Sequence, residues 1–194
     1  MPSIPINFQN NVIPPMSNLD ATGRVLVTTE GNKNTYRYAS VGNTLYSTAA
    51  AVLVEIQGSA TMTVRVKRIS IWSIVAATAI EADLTLLRCT AISASGSATA
   101  ITAGKHDKSD PGATALVNTY AAAALAGTGH AIIGAAPLSL GVLACSATVW
   151  DFCRSCDKPL ILRGTGDVIQ VYNNTLTLGT ATYGFEIETE EDNS

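Results

Sequence analysis

Apolar and polar side chains alternate along short segments of this chain, and turn residues separate those segments. In the clearest segment, Thr61–Val75, the apolar Met62, Val64 and Val66 alternate with threonine and basic residues. Successive side chains of a β-strand point to opposite faces, so this period of two indicates a strand with one buried face. A chain built from such segments buries its apolar side chains in sheets rather than in helices.

The alternation in this segment changes phase at one point. After Arg68 the apolar positions move by one residue, to Ile69 and Ile71. One extra residue in a strand has that effect, because the side-chain period is two. Lys67–Arg68 is therefore a predicted β-bulge.

Further strands are predicted along the rest of the chain, and turn sequences such as Asp110-Pro111-Gly112 separate them. The predicted segments are Arg24–Thr29, Ala51–Gln57, Ile80–Thr90, Ala115–Tyr120, Gly141–Phe152, Leu160–Arg163, Val168–Tyr172 and Tyr183–Glu188. Only Ala121–Ala126 favours a helix, and Gly127 ends it. The predicted fold class is all-β, an antiparallel β-sandwich or jelly roll with an extended N-terminal arm.

Three regions are predicted: an extended arm over residues 1–23, a jelly-roll domain over 24–189 and an acidic tail over 190–194. The arm is rich in proline and asparagine and shows neither a helical nor a strand period. A fully solvated linker would not need apolar side chains, so we expect those of the arm to contact a neighbouring subunit. Its apolar residues are Ile4, Ile6, Phe8, Val12 and Ile13. A disordered tail and a first edge strand are the alternatives for this region.

Charge argues against two classes of partner. Only 14% of the residues are charged and the net charge is −3, so there is no basic excess for direct nucleic-acid binding. The longest apolar stretches are too short for a membrane span, and the N-terminus does not resemble a signal peptide, which predicts synthesis in the cytoplasm. Basic residues outnumber acidic ones up to residue 70, whereas the last nine residues hold five acids. Such an acidic end is typically solvated or steers docking.

The chain offers few residues for catalysis or metal binding. A metal-dependent jelly roll needs several imidazoles around one ion, and His106 and His130 are the only histidines. The segment Gly104–Gly112 is interpreted as a polar turn, with a general base or cation site as the alternative. We therefore predict no cofactor, no metal and no catalytic residue. Trp72 and Trp150 lie in predicted strands, where the core or a subunit interface is the expected location.

The four cysteines leave three interpretations open. They are Cys89, Cys145, Cys153 and Cys156, and the last two form a C-x-x-C pair. Free thiols are the default for a protein made in the cytoplasm. A disulfide formed late and a zinc site are the alternatives, although no second C-x-x-C pair and no βαβ unit accompany this one.

Three blocks of the sequence resemble tailed-phage structural proteins. The first is IQGSATMTVRVKRISI at Ile56–Ile71, similar to a pattern I-x-G-S-A-T-x-T-V-R-V-x-R-I; the second is Lys105–Gly129, and the third is Trp150–Thr165. With the strands between them the resemblance covers about residues 24 to 189. It departs from the pattern at 121–126, where alanines replace a more varied turn, and the arm has no counterpart in it.

The family in question is that of capsid decoration, or cement, proteins, whose jelly-roll domain trimerises as tumour-necrosis-factor folds do. The resemblance implies a homotrimer on the capsid exterior that binds across subunits of the major capsid protein, and it implies no catalytic residues. A host-recognition or fibre-type virion protein is the first alternative. A sugar-binding or enzymatic jelly roll is the second.

Overall fold

The strands of the computed structural model account for most of the residues that it describes, which are 33–45, 50–76, 79–141, 146–153, 158–175 and 181–192. The chain divides into two units, Met1–Lys33 and Asn34–Ser194, and every described strand belongs to the second. The strands are β1 (Asn34–Leu45), β2 (Ala51–Gln57), β3 (Thr63–Ala76), β4 (Ile80–Cys89), β5 (Ala98–Ala100), β6 (Gly104–Lys105), β7 (Leu116–Tyr120), β8 (Ala131–Leu140), β9 (Ala147–Asp151), β10 (Leu160–Arg163), β11 (Val168–Asn173) and β12 (Ala181–Asp192).

The strands form two antiparallel sheets. In sheet one the order is β10-β3-β12-β1-β6, and β9 pairs with β3. In sheet two the order is β5-β7-β2-β11-β4-β8. The pairs are nested: β1 with β12, β2 with β11, β3 with β9 and β10, and β4 with β8. This nesting is that of a jelly roll, which confirms the predicted fold class.

The core lies between the two sheets and takes one face of each strand. Sheet one contributes Ile71, Phe185 and Ile187, and sheet two contributes Leu86 and Val171, all of them fully buried. Alternate residues of the same strands face outward. The period-two alternation in the sequence is therefore the pattern of a two-sheet core.

The predicted bulge is present in β3. Arg68 pairs with Glu188 and Val66 pairs with Thr189, so Lys67 has no counterpart on β12. Because of this extra residue, the side chain of Ile69 points into the core although two consecutive basic residues precede it. The prediction from the phase change is confirmed.

Four strands were not predicted. Tyr36 and Tyr38 of β1 face the core between polar neighbours, and β5 and β6 are very short. Strand β8 has an apolar sequence with glycine and proline and no alternation. Within the predicted strand Gly141–Phe152, only β9 is a strand in the part that the structure describes. The predicted strand Arg24–Thr29 lies outside the described residues.

The predicted short helix does not form. Residues 121–126 cross the outer face of sheet two without regular structure, and the Val52 N–H donates to the Ala124 carbonyl at 2.8 Å. Ala124 is completely buried there. Tertiary packing thus outweighs the helical propensity of alanine, which is weak over so short a stretch.

Residues 190–192 were predicted to begin an acidic tail, but they belong to β12, which continues to Asp192. The outward carboxylates of β12 face the basic side chains of two neighbouring strands on the outer face of sheet one. The pairs are Arg37 with Glu186 and Glu188, Arg68 with Glu186, Lys67 with Glu190, and Arg65 with Asp192. The basic residues in the first part of the sequence and the acids near its end therefore form complementary ion pairs across sheet one.

Glu191 points the other way and is 1% exposed. Its carboxylate accepts hydrogen bonds from the Thr114 N–H, the Thr114 hydroxyl and the Ala115 N–H at 2.6–3.0 Å. The Tyr38 hydroxyl donates to the Ala115 carbonyl at 3.0 Å, and burial, followed by the charge of Glu191, raises the Tyr38 pKa. One carboxylate therefore holds the segment before β7 against the last strand.

Glu191→Ala is expected to lower the free energy of unfolding by about 2–4 kcal/mol, because three donors lose their acceptor and one of them is buried. Urea denaturation of the purified protein measures it. The matched control is Glu188→Ala, which removes an exposed ion pair and is expected to cost less than about 1 kcal/mol. Equal losses for the two variants would contradict the role assigned to Glu191.

Candidate interaction surface

The two sheets meet along one edge of the sandwich, formed by β8 and β9. Strand β8 ends sheet two and pairs only with β4 among the described strands, while β9 lies beside β3 in sheet one. The Thr148 hydroxyl donates to the Pro137 carbonyl at 2.6 Å, and the Ser146 hydroxyl donates to the Ser139 carbonyl. Hydroxyl groups of β9 and of the residue before it thus satisfy backbone carbonyls of sheet two.

Large apolar side chains are exposed along this edge. Ile132 is 66% exposed, Ile133 41% and Val149 53%. None of the ten residues of β8 is charged. We refer to the exposed residues Ala131, Ile132, Ile133 and Ala135 of β8 as the edge patch. Exposed apolar side chains on an uncharged edge strand mark an interaction surface or a site of aggregation.

The edge strand carries features that hinder addition of a further strand. Pro137 has no N–H to donate, and β8 has an extra residue at Ile133, where the pairing with β4 shifts register. The hydroxyls of Thr148 in β9 and of Ser146 just before it bond to carbonyls near the end of β8. Bulges, proline and blocked carbonyls protect edges against strand pairing. A partner of the edge patch would therefore contact side chains rather than extend the sheet.

The outer face of sheet one is divided into two halves. The charged half holds the ion pairs of β12, including Lys67 with Glu190 at 2.7 Å, a hydrogen bond that raises the Lys67 pKa. The uncharged half adjoins the edge patch and consists of Ser70, Trp72, Val75, Ala147, Val149 and Thr182. Val75 is 56% exposed, and Trp72 is partly exposed.

Trp72 lies over Gly184 in the middle of the uncharged half. A Cβ atom at Gly184 would stand 2.5–2.6 Å from three atoms of the indole ring, so no other residue fits beneath it. Trp150 instead packs against the core and contacts Gly134. Trp150 therefore lies at the core, one of the two expected locations, whereas Trp72 lies on the outer face of sheet one, where a subunit interface stays a prediction.

A buried carboxylate lies on the opposite side of the sandwich, at the outer face of sheet two. Glu55 is 0% exposed, and its carboxylate accepts from the Gln170 side-chain amide at 2.6 Å and the Ser93 N–H at 2.9 Å. The Gln170 side-chain oxygen in turn accepts from the Gly127 N–H at 2.8 Å. Burial, followed by a hydrogen bond to Glu55, raises the pKa of Tyr120. These bonds hold Ser93 and Gly127 against sheet two. The two residues lie near the beginning and the end of the segment between β4 and β8.

The segment Gly104–Gly112 forms the predicted polar turn. The Ser109 N–H and hydroxyl both donate to Asp107 Oδ1, at 2.8 and 2.7 Å, which lowers the Asp107 pKa. The Lys105 ammonium donates to the Asp110 carbonyl at 2.6 Å. His106 lies on this turn, and His130 Nδ1 lies 3.1 Å from the Gly127 carbonyl oxygen. In the described part of the chain, no group of three or more His, Cys, Asp or Glu side chains is placed to hold a metal ion.

Two of the four cysteines are described. Cys89 is a buried free thiol whose pKa is raised by burial, and it donates to the Gln170 side-chain oxygen. Cys153 is exposed. Cys145 and Cys156 lie outside the described residues, so the three interpretations of the C-x-x-C pair stay open.

The predicted contact residues of the arm, Ile4, Ile6, Phe8, Val12 and Ile13, also lie outside the described residues. The edge patch was not predicted as a site. Its signal in the sequence is the uncharged stretch Ala131–Leu140, which is too short to span a membrane yet unusually apolar for an exposed strand.

No protein-family model matches the chain, and neither a curated protein nor a solved structure matches it. The described residues include no helix long and apolar enough to cross a membrane.

Proposed function

We propose that this protein is a non-enzymatic structural component of a tailed-phage virion. In this proposal it forms a homotrimer and stabilises the capsid by binding across subunits of the major capsid protein. The observation that carries the proposal is the edge patch on a jelly-roll domain, an uncharged surface next to the uncharged half of sheet one. The sequence blocks that resemble capsid decoration proteins support the same assignment.

A closed ring needs two different surfaces on each copy. A ring with three-fold symmetry is built from heterologous contacts, in which one surface of a subunit meets another surface of the next. The edge patch and the uncharged half of sheet one supply such a pair, and neither contains a charged side chain. Burial of Ile132, Val149 and Val75 between copies would remove three exposed apolar side chains from water.

Binding to a capsid suits a trimer with three arms. Each contact made after the first is effectively intramolecular, so weak individual contacts add up to stable attachment. The apolar residues of the arm, Ile4, Ile6, Phe8, Val12 and Ile13, are the proposed contacts with the capsid. An extended segment of 23 residues reaches at most roughly 75–80 Å, enough to cross onto a neighbouring capsid subunit.

The edge patch is tested by one charged substitution. Ile132→Asp places a carboxylate in the proposed interface and is expected to give a monomer near 20.1 kDa by light scattering, whereas the wild-type protein gives about three times that mass. Leu116→Asp is the matched control, because Leu116 is 50% exposed on β7, at the other end of sheet two. Trimers of both variants, or monomers of both, would contradict an interface at the edge patch.

The location in the virion is tested by labelling. Antibodies raised against the purified protein are expected to decorate the heads of virions of the phage that encodes it, as seen by electron microscopy. The proposed exterior position makes the protein accessible without disruption of the head. Label confined to the tail tip would favour the host-recognition alternative, and virions without label would contradict a structural role on the surface.

A further inference from the structure

A cleft of about 460 Å³ opens beside the edge patch, where β4 and β8 approach the turn between β10 and β11. Arg88, Thr90, Ala131, Ile133, Arg163 and Asp167 line it, with two glycines of the same loops. This volume suits a monosaccharide or disaccharide, and small-molecule sites combine an apolar wall with a few polar groups in this way.

Three hydrogen bonds hold the guanidinium of Arg88, which lines the cleft. Its Nε donates to Asp167 Oδ1 at 3.0 Å, and its Nη2 donates to Asp167 Oδ2 at 2.6 Å and to the Ile161 carbonyl at 2.8 Å. A two-point bond of this kind fixes the plane of the guanidinium. The charge of Arg88 is offset by Asp167, and the pair ties β4 to the β10–β11 turn.

Arg163 places a second guanidinium at the cleft. The Asp167 carboxylate, which pairs with Arg88, does not neutralise it. The Arg163 N–H donates to Asp167 Oδ2 at 3.2 Å, which fixes the backbone, while the side chain is exposed. Among the described residues no carboxylate forms an ion pair with the Arg163 guanidinium. The cleft therefore carries two arginines against one aspartate, an excess of one positive charge.

The remaining walls suit a ring with hydroxyl groups. Ala131 and Ile133 form an apolar side, and the Thr90 hydroxyl donates to the Thr128 carbonyl at 3.1 Å, so its oxygen can still accept. Gly129 and Gly166 expose backbone near the opening. We propose that the cleft binds a sugar acid, with the ligand carboxylate on Arg163 and one face of the sugar ring on Ala131 and Ile133.

This site does not depend on the capsid assignment. Ala131 and Ile133 belong to both the edge patch and the cleft, so the ligand would lie at the margin of the proposed subunit interface. Binding to the Ile132→Asp variant separates the two proposals. Retained binding by that variant supports a site built by one chain, whatever its oligomeric state, and lost binding overturns a site complete within one chain.

The test is titration of the full-length protein with glucuronate at low salt, followed by calorimetry. Glucuronate is expected to bind at least tenfold more tightly than glucose or acetate, because each of these lacks one of the two recognised parts. Arg163→Gln is expected to weaken glucuronate about tenfold or more, the loss typical of a charged hydrogen bond. Lys108→Gln, which removes one charge from the exposed polar turn, is the control and leaves affinity unchanged.

Three results would overturn the proposal. Glucuronate and acetate of equal affinity would show that the sugar ring makes no contact. Glucuronate and glucose of equal affinity would show that the carboxylate is not recognised. An unchanged affinity in Arg163→Gln, or an equal loss in Lys108→Gln, would place any binding elsewhere on the molecule.

Discussion

The position of β12 between β1 and β3 is the constraint on which the rest of the structure depends. The last strand of the chain pairs along its length with both the first described strand and the third. Its inward side chains complete the core, its outward carboxylates pair with basic residues of β1 and β3, and Glu191 holds the segment before β7. Pairing between strands so far apart in sequence closes large loops, which makes such folds slow to form.

Two buried carboxylates, Glu55 and Glu191, hold connecting segments against the sheets. Glu55 and Glu191 both accept hydrogen bonds from backbone N–H groups of long connections, Ser93 in one case and Ala115 in the other. A buried carboxylate is costly unless such donors surround it, so each one specifies how its connection packs. The surfaces that we propose for partners are the edge patch, the uncharged half of sheet one and the cleft at Arg163.

Strands and their inward side chains are predicted well from the sequence where one face of the strand is buried and the other is exposed to solvent. The bulge at Lys67–Arg68 and the inward Phe185 follow from period two alone. Strand β8 has no such contrast, because its outward side chains are apolar as well. The acids of β12 were misjudged because the partners of a charge depend on tertiary pairing, which local sequence does not contain. The cleft joins residues from β4 and β10 that are more than 70 positions apart, so no local motif announces it.

The most direct test of the account is the solution mass of the full chain and of a chain that lacks residues 1–23, measured by light scattering. If the edge patch and the uncharged half of sheet one hold the copies together, both forms are trimers. The full chain then gives a mass of about 60 kDa, three times its 20.1 kDa, and the shortened chain gives three times its own smaller mass. A trimer only with the arm present would transfer the interface to residues 1–23. Monomers in both forms would contradict the proposed trimer.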